Sequence, residues 1–260
     1  MDYDSLEKKF EQYTSSIIDT CHNEHKIAME FKKIHSQKVA EIAFNISQYI
    51  FQFPEHKDYA RICGLFHDVS RFVQLREYGT FIDSKSFDHG DMSAKIVGEN
   101  KWLESLPEAD LKAILHAIKY HNKLEIPQVE DELTMHLSQI IRDADKIESM
   151  ISIAEYYSDN DAEKSSAIEM SLPDNEDVSP EVLESLRNFK MVDYSTIKTL
   201  NDFKLLKISW VFDINYPISY AFLLDSKCLE KMFSTIKNPS EELSQLVAMA
   251  IGYAEANASL

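Results

Sequence analysis

Residues 33–50 read KIHSQKVAEIAFNISQYI, and their reading decides the fold class. Val39, Ile42, Ala43, Ile46 and Ile50 recur at the i, i+3, i+4, i+7 spacing that gathers side chains on one face of a helix. The same period continues outward. Leu6, Phe10, Tyr13, Ile17 and Ile18 mark an amphipathic helix over the first 30 residues. Residues 57–68 form a short apolar helix, 76–90 read as a loop containing Gly79, Asp83, Asp88 and Gly90, and another helix covers about 90–104. Ser105-Leu106-Pro107-Glu108 has the pattern of a capping box opening a helix that runs to about 121. Leu133, Leu137, Ile140, Ala144, Ile147 and Ile151 line one face of a long helix over 131–157. The chain is therefore expected to be all-α: a helical core with an N-terminal helix over 1–157, then a change of composition. Over 158–180 seven acidic residues face a single lysine, Lys164, which reads as an acidic linker or surface loop. Residues 181–260 read as a helical C-terminal lobe of three or four helices, opened by Ser179-Pro180 and containing a second start at Asn238-Pro239-Ser240-Glu241.

Composition narrows the function. Five glycines in 260 residues is about 2%, against roughly 7% in average proteins, and this argues against glycine-rich phosphate loops and doubly wound nucleotide folds. A net charge of −17 disfavours general nucleic-acid binding and anionic membrane surfaces, while a small phosphorylated substrate stays open because local cations or a metal overrule the global field. Three scattered cysteines make neither a disulfide framework nor a zinc knuckle and fit a reducing compartment. The N-terminus lacks an apolar signal region and no apolar run approaches about 18 residues, so a cytoplasmic protein is expected.

Chemistry is carried by histidines and carboxylates. His35 lies on the apolar stripe of its helix, and His67 and Asp68 are adjacent at the end of an apolar run. His89 precedes Gly90 at a loop-to-helix junction. At 100° per residue, His121 lies roughly 70° from the stripe of its helix and His116 roughly 150°. Asp143 and Asp145 flank the stripe of the 131–157 helix almost symmetrically, so periodicity does not choose between them. His and Asp side chains pointing inward from several helices are how bundles build metal sites, and such ligands suit Fe, Mn, Zn or Ni better than Mg or Ca. Taken singly, each such histidine is more simply a hydrogen-bonded core residue.

The order His35, His67-Asp68, Asp145 resembles the H…HD…D pattern of the HD-domain metal-dependent phosphohydrolase superfamily. KIHSQKVAEIA, GLFHDVSRF and IIRDADKIE each resemble one of its motifs, and the resemblance covers about residues 31–151. It implies an HD-domain helical bundle and a metal held by His35, His67, Asp68 and Asp145. His89-Gly90 and the AIKYH element ending at His121 match a binuclear subset, which implies His89 and His121 as ligands of a second ion. Arg71 stands where single-metal HD nucleotidases carry a Glu and binuclear members a Lys, and no downstream GYP element is present. Within the superfamily the chain most resembles YqeK-type hydrolases of dinucleoside polyphosphates.

The resemblance implies a phosphohydrolase that cleaves a phosphate ester or anhydride of a nucleotide-like or other phosphorylated small molecule. It would use one or two divalent transition ions (Fe, Mn, Ni or Co), Asp68 and Arg71 as catalytic groups, and Arg71 and His116 toward substrate. A di-iron HD-type oxygenase would use the same ligands, and a non-catalytic nucleotide-binding module would keep the fold. Lys146 faces away from the core stripe, and SWVFDINY (209–216) reads as core of the C-terminal lobe.

Overall fold

In the computed structural model, residues 2–159, 161 and 163–259 are described. Among them the regular structure is helical, with no β-strand. The helices are α1 (Tyr3–Ile18), α2 (Asn23–Ile50), α3 (Pro54–Phe66), α4 (Arg71–Tyr78), α5 (His89–Glu99), α6 (Glu108–Tyr120), α7 (Glu132–Ser158), α8 (Pro180–Arg187), α9 (Leu200–Ser209), α10 (Pro217–Asp225), α11 (Cys228–Ser234) and α12 (Glu241–Ala258). Short 3-10 turns lie at Asp83–Lys85, Tyr194–Thr196 and Trp210–Asp213. None of the described helices is long and apolar enough to cross a membrane.

The chain divides into two compact units, 1–145 and 146–260, and the division falls within α7. In the first unit, Phe10 of α1 is fully buried edge-on to Phe66 of α3 and Phe72 of α4, at centroid distances of 6.0 and 6.1 Å. Phe66 in turn stacks on Trp102 at 5.0 Å. Burial of each such ring contributes about 2–3 kcal/mol, which fastens α1 across the ends of α3 and α4.

α2 and α3 approach each other closely. A Cβ added to Gly64 would lie 2.6 Å from Ala40 Cα and 2.7 Å from Ala40 N, so only glycine opposite alanine lets these helices come this close. That contact brings the stripe of α2, which carries His35, against the end of α3, which leads into His67.

In this unit three sequence expectations change. The first 30 residues are not one helix: α1 stops at Ile18 and α2 starts at Asn23. Thr20 Oγ1 donates to the Ser16 carbonyl (3.0 Å) and Cys21 Sγ to the Ile18 carbonyl (3.2 Å), so side chains take acceptors at the end of α1. Residues 76–78 of the expected 76–90 loop instead belong to α4, whose two turns, with Phe72 and Leu75 buried, are too short for a periodicity argument. Ser105 does not cap α6, whose N-terminal flanking residue is Pro107, with no side-chain hydrogen bond at the cap.

The second unit holds the end of α7 and α8–α12, more helices than the three or four expected after residue 181. Ser240 caps α12 as anticipated, accepting from Leu243 N at 3.1 Å. Ser179 flanks α8 but turns its hydroxyl elsewhere: it donates to buried Asp202 at 2.7 Å, and its amide donates to the same carboxylate at 2.8 Å. Lys198 N completes that carboxylate at 2.9 Å, which fixes the segment before α8 to the start of α9. Lys146 is paired with Asp213 at 2.7 Å.

Candidate metal centre

Five elements of the first unit deliver side chains to one point. α2 supplies His35, and the turn between α3 and α4 supplies His67 and Asp68. The first residue of α5 is His89, the residue closing α6 is His121, and α7 carries Asp145. All are buried except Asp145, which is partly exposed.

The four imidazoles form two pairs. His35 Nε2 lies 3.3 Å from His67 Nε2, and His89 Nε2 lies 3.2 Å from His121 Nε2. Asp68 sits between the pairs and faces each with a different oxygen. Its Oδ2 is 3.6 Å from His35 Nε2 and 3.4 Å from His67 Nε2; its Oδ1 is 3.6 Å from His89 Nε2 and 3.8 Å from His121 Nε2. Asp145 Oδ1 closes the first cluster, 3.1 Å from His35 Nε2 and 3.6 Å from His67 Nε2. His35, His67 and Asp145, and likewise His67, Asp68 and His121, present donor atoms within 4.8 Å of one another, close enough to hold a metal ion. Four donors at about 2.1 Å around an ion lie roughly 3.4 Å apart, the spacing found in both clusters.

The chain was then compared with known proteins. Residues 33–150 match the HD domain. No curated protein and no solved structure matched. An HD domain suggests metal-dependent hydrolase activity in the broad sense, and it is an all-α fold, as is this chain.

The donor set fits a metal on two further grounds. Three rings are oriented from behind. His67 Nδ1 donates to the Gly64 carbonyl (2.8 Å), His121 Nδ1 to the Ile118 carbonyl (2.7 Å) and His89 Nδ1 to the Asp83 carboxylate (2.5 Å). Carbonyl and carboxylate oxygens only accept, so each Nδ1 bears the proton and each Nε2 is turned inward, as metal-binding histidines require. Asp68 Oδ1 is buried without a hydrogen-bond partner, with the Arg71 guanidinium at 3.4 Å, a costly state for a carboxylate oxygen that a metal ion would relieve.

Electrostatics agree. Burial alone would raise the pKa of Asp68, but Lys32, His67 and Arg71 outweigh it and hold the carboxyl well below its usual range. Asp145 is likewise held low against burial by His35 and His67. Burial opposes charge on His67, yet Asp68 and Asp145 lift it to about 10, so in the absence of a metal His67 is protonated. His121 is pushed down to about 3 by burial, then by His67 and His89. Ionised carboxylates beside a neutral His121 make a ready cation site.

The remaining expected residues fall differently. Arg71 reaches the centre, with Nε 3.4 Å from Asp68 Oδ1 and an NH2 nitrogen 3.3 Å from His89 Nε2. Its NH1 nitrogen, however, is committed to Gln74 Oε1 (2.6 Å), the Phe81 carbonyl (2.6 Å) and Asp83 Oδ1 (2.9 Å), so it also ties down the loop after α4. His116 does not join the cluster: its ring lies tilted against Tyr120 at a centroid distance of 4.5 Å and faces Ser138 Oγ at 3.3 Å. Asp143 is buried elsewhere on α7.

Three contributors to the site were not read from the sequence. Lys32, one turn before His35, places Nζ 2.6 Å from Asp68 Oδ2. Asp83 holds His89, and Asn122, next to His121, reaches Asp83 (3.4 Å) and Asp88 (3.2 Å). Lys32 had a usable signal, the helical spacing to His35. Asp83 had none, because its partners come from loops and helix ends.

Gly90 has a packing role. A Cβ there would lie 2.5 Å from both the Lys119 carbonyl and Asn122 Oδ1, so glycine permits the start of α5 to meet the end of α6 and pairs His89 with His121.

Proposed function

We propose that the chain is a metal-dependent phosphohydrolase that holds two divalent transition-metal ions and cleaves a phosphate ester or anhydride of a nucleotide-like small molecule. The observation that carries this reading is the division of Asp68 between two histidine pairs, one oxygen to each, with no hydrogen bond to Oδ1. His35, His67, Asp68 and Asp145 would hold one ion, and Asp68, His89 and His121 the other. Iron, manganese, nickel and cobalt all suit this mixture of imidazole and carboxylate. Bound there, the ions would supply hydroxide at neutral pH and offset charge on the phosphoryl oxygens.

The chain's own residues do the rest. Arg71 is held rigid through its NH1 nitrogen, which leaves Nε and the NH2 side of the fork facing the centre, where guanidinium geometry suits a phosphoryl oxygen. Lys32 adds a second cation from the opposite side of Asp68. These cations act locally against a chain of net charge −17 and favour a small anionic substrate over a polyanion. Burial of the histidines keeps bulk water from competing.

The test is phosphate release from nucleotides and dinucleoside polyphosphates. Chelator-stripped protein reloaded separately with manganese, iron, cobalt or nickel should be compared with Asp68→Ala and His35→Ala variants. Metal-dependent release that is lost in both variants is the expected result. Full activity in Asp68→Ala, or no release with any metal alongside oxygen consumption by the iron form, would overturn the proposal.

A further inference from the structure

Asp83 lies outside both clusters, yet more donors converge on it than on any other part of its loop. Oδ2 accepts from His89 Nδ1 at 2.5 Å, from the His89 amide at 3.3 Å and from Asn122 Nδ2 at 3.4 Å. Oδ1 accepts from Arg71 at 2.9 Å and from Gln74 Nε2 at 3.0 Å. The donors on the Oδ1 side cannot reverse. Arginine has no acceptor atom, and the Gln74 amide is oriented by accepting from Arg71 through Oε1 (2.6 Å) while its Nε2 donates to Ser86 Oγ (2.7 Å).

We propose that Asp83 is a positioning residue that sets the tautomer of His89 and thereby admits the second ion. The inference rests on the reading of His89 and His121 as ligands of that ion. While Asp83 is a carboxylate, His89 keeps its proton on Nδ1 and aims the Nε2 lone pair at Asp68 Oδ1 and His121, 3.6 and 3.2 Å away.

An asparagine at 83 would invert this. Its oxygen must face Arg71 and Gln74, which only donate there, and its NH2 group is then set against His89 Nδ1, giving up the two longer bonds from the His89 amide and Asn122 Nδ2. Nδ1 becomes the acceptor, and the proton moves to Nε2, the nitrogen that has to bind metal. Asp83→Ala removes the acceptor without imposing a donor, and water can still receive the Nδ1 proton. The isosteric variant is therefore the more damaging one, the reverse of what loop packing alone would produce.

The experiment titrates the chelator-stripped full chain with cobalt(II) by calorimetry and visible absorption. Wild type, Asp83→Ala and Asp83→Asn are compared, with circular dichroism as the folding control. Wild type should bind two ions. The second step should weaken about 10-fold in Asp83→Ala and about 100-fold or more in Asp83→Asn, with the first step preserved. Nitrogen-15 spectra of the metal-free wild type should show the His89 proton on Nδ1, a reading that needs no variant to fold. Two ions in wild type, with Asp83→Asn binding the second as well as or better than Asp83→Ala, overturns the inference and leaves the two-ion reading standing. So does a wild-type His89 proton on Nε2. A single ion in wild type overturns the two-ion reading and this inference with it.

Discussion

Gly64→Ala provides a test of sign. Gly64 lies in the interior of α3, and helix propensity alone makes the substitution stabilising by about 1 kcal/mol. The structure requires the opposite. The new Cβ would stand 2.6 Å from Ala40 Cα, 2.7 Å from Ala40 N and 2.9 Å from the Val39 carbonyl carbon. Ordinary contact begins at 3.4 Å, and the atoms in the way are backbone, so no side chain can turn aside. α2 and α3 must separate by roughly 0.8 Å, and overpacking of a well-filled core costs about 1–3 kcal/mol. Backbone obstruction in a 28-residue helix places the cost at the upper end. After the propensity gain, a net loss of about 2 kcal/mol remains, or a drop in Tm of about 4–8 °C for a chain of this size. The assay is urea unfolding with thermal melts, beside Gly98→Ala and Gly252→Ala. In those controls the new Cβ meets nothing closer than 4.0 Å and nothing within 4 Å respectively, so both should be neutral or stabilised by up to about 1 kcal/mol. The same separation moves His35 from its 3.3 Å approach to His67, so metal should bind the variant more weakly. A Gly64→Ala protein as stable as wild type, with unchanged metal affinity, would refute the claim that this contact positions the first cluster.

Gly90→Ala should act on the other histidine pair, because its Cβ meets the Lys119 carbonyl at 2.5 Å; a loss of about 2 kcal/mol in urea unfolding and fewer metal equivalents by elemental analysis are expected. Ser240→Ala should cost about 1 kcal/mol by removing the α12 cap, whereas Ser105→Ala should stay within about 0.5 kcal/mol despite its capping-box pattern; equal losses would contradict the cap assignment. Asp202→Ala strands the Ser179 and Lys198 amides it now accepts from, and a loss of about 2–3 kcal/mol in chemical denaturation is expected.

Much of the site was legible because each of its clues is local. The stripe Val39, Ala43, Ile46 sets the face on which His35 lies, and Val39, Ala43, Ile46 and His35 are all buried together. The angular argument separated His121 from His116, and the structure brings the first to the cluster and leaves the second against Tyr120. Local logic also produced the errors. Ser105 has the letters of a capping box, but a cap depends on where the hydroxyl points, and here the helix starts from Pro107. α4 was missed because two turns carry too few apolar positions for a period to emerge.

By itself the sequence determined the all-α class and the inward placement of His35, properties of residue spacing along a helix. Its resemblance to the HD pattern picked Asp145 over Asp143, a choice that spacing left open. Only the tertiary structure decided that Asp68 is divided between two histidine pairs, that Asp83 stands behind His89, and that Gly64 and Gly90 are the points of closest approach. Except for Asp83 and His89, which are six residues apart, those facts concern atoms from segments far apart in the chain, brought within 4 Å of one another by the packing of α2 on α3 and of α5 on α6. Periodicity specifies a face, but the partner that meets it is set by three-dimensional packing.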